Sequence, residues 1–81
     1  MTVTVCFYSY CKELTRCAQT TETLPAGSTL GELFDKLTAR FPRLAEMQKS
    51  VLMAVGVDYQ GREYALKEGE EVSFFPPVQG G

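Results

Sequence analysis

One stretch of this chain carries the apolar spacing of a long helix, and everything else has to be arranged around it. Leu30, Leu33, Phe34, Leu37 and Phe41 recur every three or four residues and make a single apolar stripe. Thr29, with Glu32 three residues on, has the form of a capping box. Pro42 disfavours helical geometry at Phe41, while Lys36 and Arg40 suit the negative end of a helix dipole. The spacing therefore predicts a helix over Leu30–Arg40. Gly31 in its first turn is worse than Ala by about 1 kcal/mol, which predicts close approach of another segment there.

The flanking sequence alternates as strands do. Thr2–Tyr8 has a period of two, with Val3, Val5 and Phe7 on one face and Thr2, Thr4, Cys6 and Tyr8 on the other. Ser9–Arg16 breaks that period and Thr20–Leu24 resumes it, which predicts a second strand returning antiparallel after a long irregular connection. Pro25-Ala26-Gly27 turns the chain. After the helix, Arg43–Lys49 has room for one short helical turn. Val51–Val57 is apolar on both faces, as an interior strand is. Asp58-Tyr59-Gln60-Gly61 reads as a turn, Arg62–Ala65 as a short edge strand, Glu68-Gly69-Glu70 as a second turn and Val72–Phe75 as the last strand. The fold class predicted is α+β, a mixed sheet of four to five strands packed on one main helix.

If Val72 and Phe74 face that helix, Ser73 and Phe75 lie on the opposite face with Cys6 and Tyr8. An 81-residue chain with one main helix cannot cover both faces of its sheet. An exposed apolar patch is therefore expected beside Phe75, unless residues 9–19 fold over it.

The chain ends Phe74-Phe75-Pro76-Pro77-Val78-Gln79-Gly80-Gly81. Two prolines offer a sheet no N–H and hold the backbone extended, so pairing should stop near Phe75 and residues 76–81 should project from a single domain spanning 1–81. Those residues at about 3.3 Å each reach roughly 20 Å. Glycine lacks a Cβ, so the tip can enter a channel too narrow for other residues and present the Gly81 carboxylate at its far end.

Composition narrows the chemistry. With no His, the chain lacks the usual general base and commonest metal ligand, and no metal site is expected. A net charge of −2 argues against a non-specific grip on nucleic acid, so a protein partner is expected. Cys6, Cys11 and Cys17 form no CxxC pair and read as reduced thiols of a cytoplasmic protein. Met1–Phe7 lacks the form of an export signal, and no segment approaches the ~18 apolar residues of a membrane span. Cys17 beside Arg16 is a candidate reactive thiol, weighed against an inert one. The acidic turn Glu68, Glu70, Glu71 reads as solvated, with partner docking the alternative.

The element order and the Gly-Gly ending resemble the ubiquitin-like β-grasp fold. Leu66, followed by Glu68-Gly69-Glu70-Glu71-Val72-Ser73-Phe74-Phe75-Pro76-Pro77-Val78-Gln79-Gly80-Gly81, is similar to the C-terminal signature of the small subunit of molybdopterin synthase, the MoaD proteins. Phe7-Tyr8-Ser9, followed by Lys12-Glu13-Leu14, looks like that family's N-terminal pattern. The family commonly has Arg where Lys12 stands, Asn where Gly56 stands and Asp where Glu70 stands. The resemblance implies a sulfur carrier for molybdenum cofactor biosynthesis. A MoeB-like, ubiquitin-activating type of enzyme supplies ATP and magnesium and adenylates Gly81, and a sulfur donor protein converts the adenylate to a thiocarboxylate. The MoaE-like large subunit then receives the tail and delivers sulfur to a pterin precursor, forming the dithiolene.

In that scheme Gly81 reacts, Gly80 shares its channel, and Phe75, Pro76, Pro77 and Val78, with Phe7, Tyr8 and Lys12, contact the partner. The chain binds no cofactor of its own. It lacks a GxxxxGK[ST] loop, so the nucleotide belongs to the partner, and acid–base groups belong to the large subunit. It acts as the non-catalytic donor subunit of a sulfurtransferase. Two other uses of the same terminus are a ubiquitin-like protein modifier and a sulfur carrier for thiamine, cysteine or tRNA; the aromatic-proline stem favours the synthase.

Overall fold

The structure, a computed structural model, describes residues 1–77. The helix forms over the predicted span, α2 (Leu30–Arg40), and both halves of its capping box are made: the Glu32 N–H donates to Thr29 Oγ1 at 3.2 Å and the Thr29 N–H to Glu32 Oε1 at 2.8 Å. It is preceded by α1 (Tyr10–Thr15) and followed by a 3₁₀ helix, Pro42–Met47. Five strands, β1 (Thr2–Phe7), β2 (Gln19–Thr23), β3 (Leu52–Val55), β4 (Asp58–Tyr59) and β5 (Glu71–Phe75), form one sheet in the order β2-β1-β5-β3-β4. The central pair β1 and β5 is parallel, and the other pairs are antiparallel. A mixed sheet on one main helix is the α+β architecture expected.

The apolar stripe of α2 and the inward residues of three strands close one core. Val3, Val5 and Phe7 of β1, Val72 and Phe74 of β5, and Met53 and Val55 of β3 meet Leu30, Leu33, Phe34 and Leu37. Phe74 sits at its centre, with ring centroids 5.8 Å from both Phe7 and Phe34. Edge strand β2 is clasped from α2: Arg40 pairs at 2.7 Å with Glu22, a carboxylate only 6% exposed, and also donates to Thr21 O and Thr20 Oγ1. Lys36 adds a bond to Thr23 O and a second approach to Glu22. These cations leave Glu22 partnered and cover an edge that would otherwise invite another strand.

Three local expectations change. Residues 10–15 are helical, because Cys11 and Leu14 bury their side chains in the core shared with α2. The β3–β4 hairpin turns two residues earlier than expected, at Gly56 and Val57, since Gly56 adopts φ +61° and lets Asp58 and Tyr59 pair as a strand; Val57 at the tip is almost fully exposed. Arg62–Ala65 makes an isolated bridge at Thr29–Ala65 and no strand. Its carbonyls serve the start of α2: Tyr64 O accepts from Leu30 N–H at 2.8 Å and Arg62 O from Gly31 N–H at 2.9 Å. Those donors have no partner within the helix, which is why the segment lies there. It is also the close approach predicted at Gly31, where a Cβ would meet Arg62 side-chain atoms at 3.0 Å.

Candidate functional site

Strand alternation decides what the second face of the sheet carries. The register puts Cys6 beside Ser73 and Ser73 beside Ala54, a row of small residues, and Phe75 beside Leu52. Above that row the aromatics gather. Tyr8, immediately after β1, lies flat on Phe75 with centroids 4.9 Å apart and planes 8° from parallel, and Tyr59 of β4 meets the same ring edge-on at 6.4 Å. Tyr8 is 43% exposed and Tyr59 67%. This is the apolar patch expected beside Phe75, and it stays open because residues 10–15 pack on the other side with Cys11 and Leu14 in the core.

Regular pairing ends at Phe75, and Pro76 and Pro77 continue outside the sheet. They form one wall of a groove of about 370 Å³ whose remaining lining is Ser9, Tyr10, Met47 and Ser50. The Tyr10 hydroxyl donates to Glu46 Oε1 at 3.1 Å, and Arg43 approaches the other carboxylate oxygen at 3.5 Å. Between Tyr8 and Tyr10 the backbone of Ser9 adopts φ +50°, ψ −127°, a conformation that glycine tolerates and other residues hold at a cost on the order of 1–3 kcal/mol.

The thiols are poor nucleophiles where the shift is resolved. Burial, and then the neighbouring Glu71 charge, raise Cys6, against the pull of a hydrogen bond with Tyr8. Burial alone pushes Cys11 up to about 11. Cys17 bonds the carbonyl of Gln19 at 3.1 Å. In the acidic turn, Glu68 accepts from Thr2 N–H at 3.0 Å, and Glu70 accepts from Lys67 N–H and from the Tyr64 hydroxyl, each at 2.7 Å. The Glu70 bond is the leading reason the Tyr64 hydroxyl is harder to ionise than usual. Glu70 thus holds its own loop together, and Glu68 ties that loop to the start of β1.

Residues 5–81 match the family model for ThiS. The chain belongs to the ThiS family. This ThiS-family chain is similar, with 29% identity over 79 residues, to the molybdopterin synthase sulfur carrier subunit of Arabidopsis thaliana, covering 98% of this chain and 82% of that protein. In fold it is similar to SAMP1 from Haloferax volcanii, with a TM-score of 0.90 at 18% identity and all of both chains covered. It also resembles a chain of the protein–protein complex of subunits 1 and 2 of molybdopterin-converting factor from Helicobacter pylori 26695, with a TM-score of 0.71 at 23% identity, again over all of both chains. The fold of this ThiS-family member is the ubiquitin-like β-grasp.

Of the residues singled out from the sequence, Tyr8, Phe75, Pro76 and Pro77 come together. Phe7 requires correction: it is 1% exposed and lies in the core against Phe74 and Phe41, so it supports the open face from beneath and touches no partner there. Its place one residue from Tyr8 in an alternating strand dictates this. Lys12 stands exposed on α1 and makes no ion pair with another described residue. Val78, Gly80 and Gly81 lie outside the described residues. Sequence reasoning missed Tyr59, because its strand read as a turn, and missed Ser9 and Tyr10, because six helical residues show too little periodicity to announce α1.

Proposed function

We propose that this ThiS-family chain is the sulfur carrier subunit of a molybdopterin synthase. The observation that carries the reading is the stacked Tyr8–Phe75 pair at the root of the proline exit, which is separated from Gly80-Gly81 by two residues, Val78 and Gln79. The near full-length likeness to a relative of that name in Arabidopsis thaliana supports it. In this reading the Gly81 carboxylate, anionic at neutral pH with a reference pKa of about 3.3–3.7, is a poor electrophile until activated. A ubiquitin-activating type of enzyme, binding ATP and magnesium itself, adenylates it. A sulfur donor displaces AMP and leaves a thiocarboxylate.

The large subunit takes the charged tail, with Tyr8, Tyr59 and Phe75 as the aromatic anchor and Pro76, Pro77 and Val78 as the stem, while Gly80 and Gly81 enter its channel. The complex of subunits 1 and 2 of molybdopterin-converting factor in Helicobacter pylori supports a partner of that kind. The carrier contributes reach, a sulfur nucleophile once charged and a docking face. Proton transfers fall to the large subunit, because Cys11, and to a lesser degree Cys6, are held protonated and no histidine is available.

Intact mass after incubation with host extract, ATP and a sulfur source tests this. A gain equal to replacing one oxygen by sulfur, dependent on Gly81, is expected, followed by its loss when large subunit and pterin precursor are added. Higher-mass protein conjugates without that gain would establish a modifier instead, and a charged tail that the large subunit cannot discharge would assign the sulfur to another pathway.

A further inference from the structure

The geometry points to Ser9 as a positioning residue: the turn Tyr8–Cys11, held by Ser9 in a glycine-like conformation, aims the tail by supporting both sides of its exit. The reversal is tight. Tyr8 N–H makes the last parallel bond of the sheet, to Phe74 O at 3.1 Å, and its own carbonyl then accepts from Cys11 N–H at 3.0 Å. Within those four residues the chain leaves the open face and enters the core, because Tyr8 lies on Phe75 while Cys11 is fully buried. The reversal is of the type II′ kind, which has positive φ at its second residue, and here that residue is a serine at φ +50°, ψ −127°. Arg16, the other non-glycine residue with positive φ among the described residues, is at φ +55°, ψ +34°, the left-handed cap at which many helices stop. Ser9 is the N-cap of α1, its carbonyl accepting from Lys12 N–H at 3.0 Å, but an N-cap is ordinarily extended at negative φ, and its side chain makes no capping bond.

What the conformation achieves is a double support. Tyr8, on one side of Ser9, stacks beneath Phe75, the last residue of β5. Ser9 and Tyr10 face Pro76 and Pro77 across the groove. Tyr10 is braced in turn by Glu46, and Glu46 by Arg43 of the 3₁₀ helix. Relaxing Ser9 to negative φ would move the ring under Phe75 and the wall beside the prolines together. A Pro76-Pro77 stem released in this way has to be ordered again at each docking, and that loss appears in binding.

This inference rests on the carrier reading for its kinetic consequence but not for its geometry, and the experiment separates the two. Ser9→Val, whose branched Cβ opposes positive φ, is compared with Ser9→Gly, which accepts it. In the free chain, proton–proton contacts between the Tyr8 and Phe75 rings, whose centroids lie 4.9 Å apart, are expected in wild type. They should persist in Ser9→Gly and vanish in Ser9→Val, with the α2 amide shifts unmoved. In sulfur transfer from the charged chain, Ser9→Val should raise the half-saturating concentration about tenfold with the maximal rate held within about twofold, the effect of re-ordering one or two residues on docking, and Ser9→Gly should restore the wild-type value.

A folded Ser9→Val that keeps the Tyr8–Phe75 contacts, or that transfers with wild-type half-saturation, overturns the proposal. So does a Ser9→Gly as impaired as Ser9→Val. Should Ser9→Val fail to fold, Tyr10→Phe, which loses the Glu46 bond alone, should raise half-saturation about threefold, and an unchanged value overturns the proposal. A wild-type chain that never acquires sulfur would refute the carrier reading, while the Tyr8–Phe75 contacts would still decide the role of Ser9.

Discussion

The two faces of the sheet are made by the same strands and differ by one residue of register. On the closed face Phe7 and Phe74 are buried against α2; on the open face their neighbours Tyr8 and Phe75 stack in partial contact with solvent. Both pairs are aromatic and both span the parallel junction of β1 and β5. Only the first has a helix over it. Burial makes the closed face the source of stability, whereas the open face keeps its apolar area for a partner.

Truncating the closed face should have the largest effect. Phe74→Ala is expected to lower stability by about 3–5 kcal/mol, read as the shift of the urea midpoint, and a loss below about 1 kcal/mol would mean that the two faces are not energetically distinct. A second effect on the same face depends on pH. Cys11 is raised from 9.0 to about 11 by burial. Below about pH 9 native and unfolded chains both hold the proton; between 9 and 11 the unfolded chain releases it first. Stability should therefore fall as pH rises through that window, by about 2–3 kcal/mol in all, with Cys6 adding in the same direction. Cys11→Ala should flatten the profile, and an equally steep fall in that variant would contradict the assignment.

Phe75→Ala sharpens the contrast. It should change stability by only about 1 kcal/mol yet weaken binding to the large subunit by about 2 kcal/mol, as a central anchor does; calorimetric titration reads the second value directly. The smallest effect is expected at the clasp on β2. Arg40 is 46% exposed although Glu22 is buried, so solvent screening reduces the pair's contribution, and Arg40→Ala should destabilise by about 1 kcal/mol. A much larger loss would show that the closed face relies on its edge as much as on its core.

The parts of this contrast that were legible in the sequence are those with long period or strict alternation. The stripe and capping box gave α2 its limits, and the alternation through Val3, Val5 and Phe7 placed the open face. Short elements were not legible. The helix Tyr10–Thr15 has six residues and starts from a serine in a conformation that sequence associates with glycine. Tyr59 joined the patch because a glycine turned the hairpin at Gly56, and Asp58-Tyr59 had every mark of a turn. Arg62–Ala65 had strand character, but the unpaired N–H groups of Leu30 and Gly31 claimed its carbonyls. That competition depends on tertiary contacts absent from the local sequence.

The most direct test of the account is amide chemical-shift mapping of the isotopically labelled chain titrated with the large subunit. Perturbations are predicted to centre on Tyr8, Ser9, Tyr59 and Phe75, and to spare Asp35, Lys36 and Ala39 on the outer side of α2. Perturbations centred on those three α2 residues, with the open face unmoved, would contradict it.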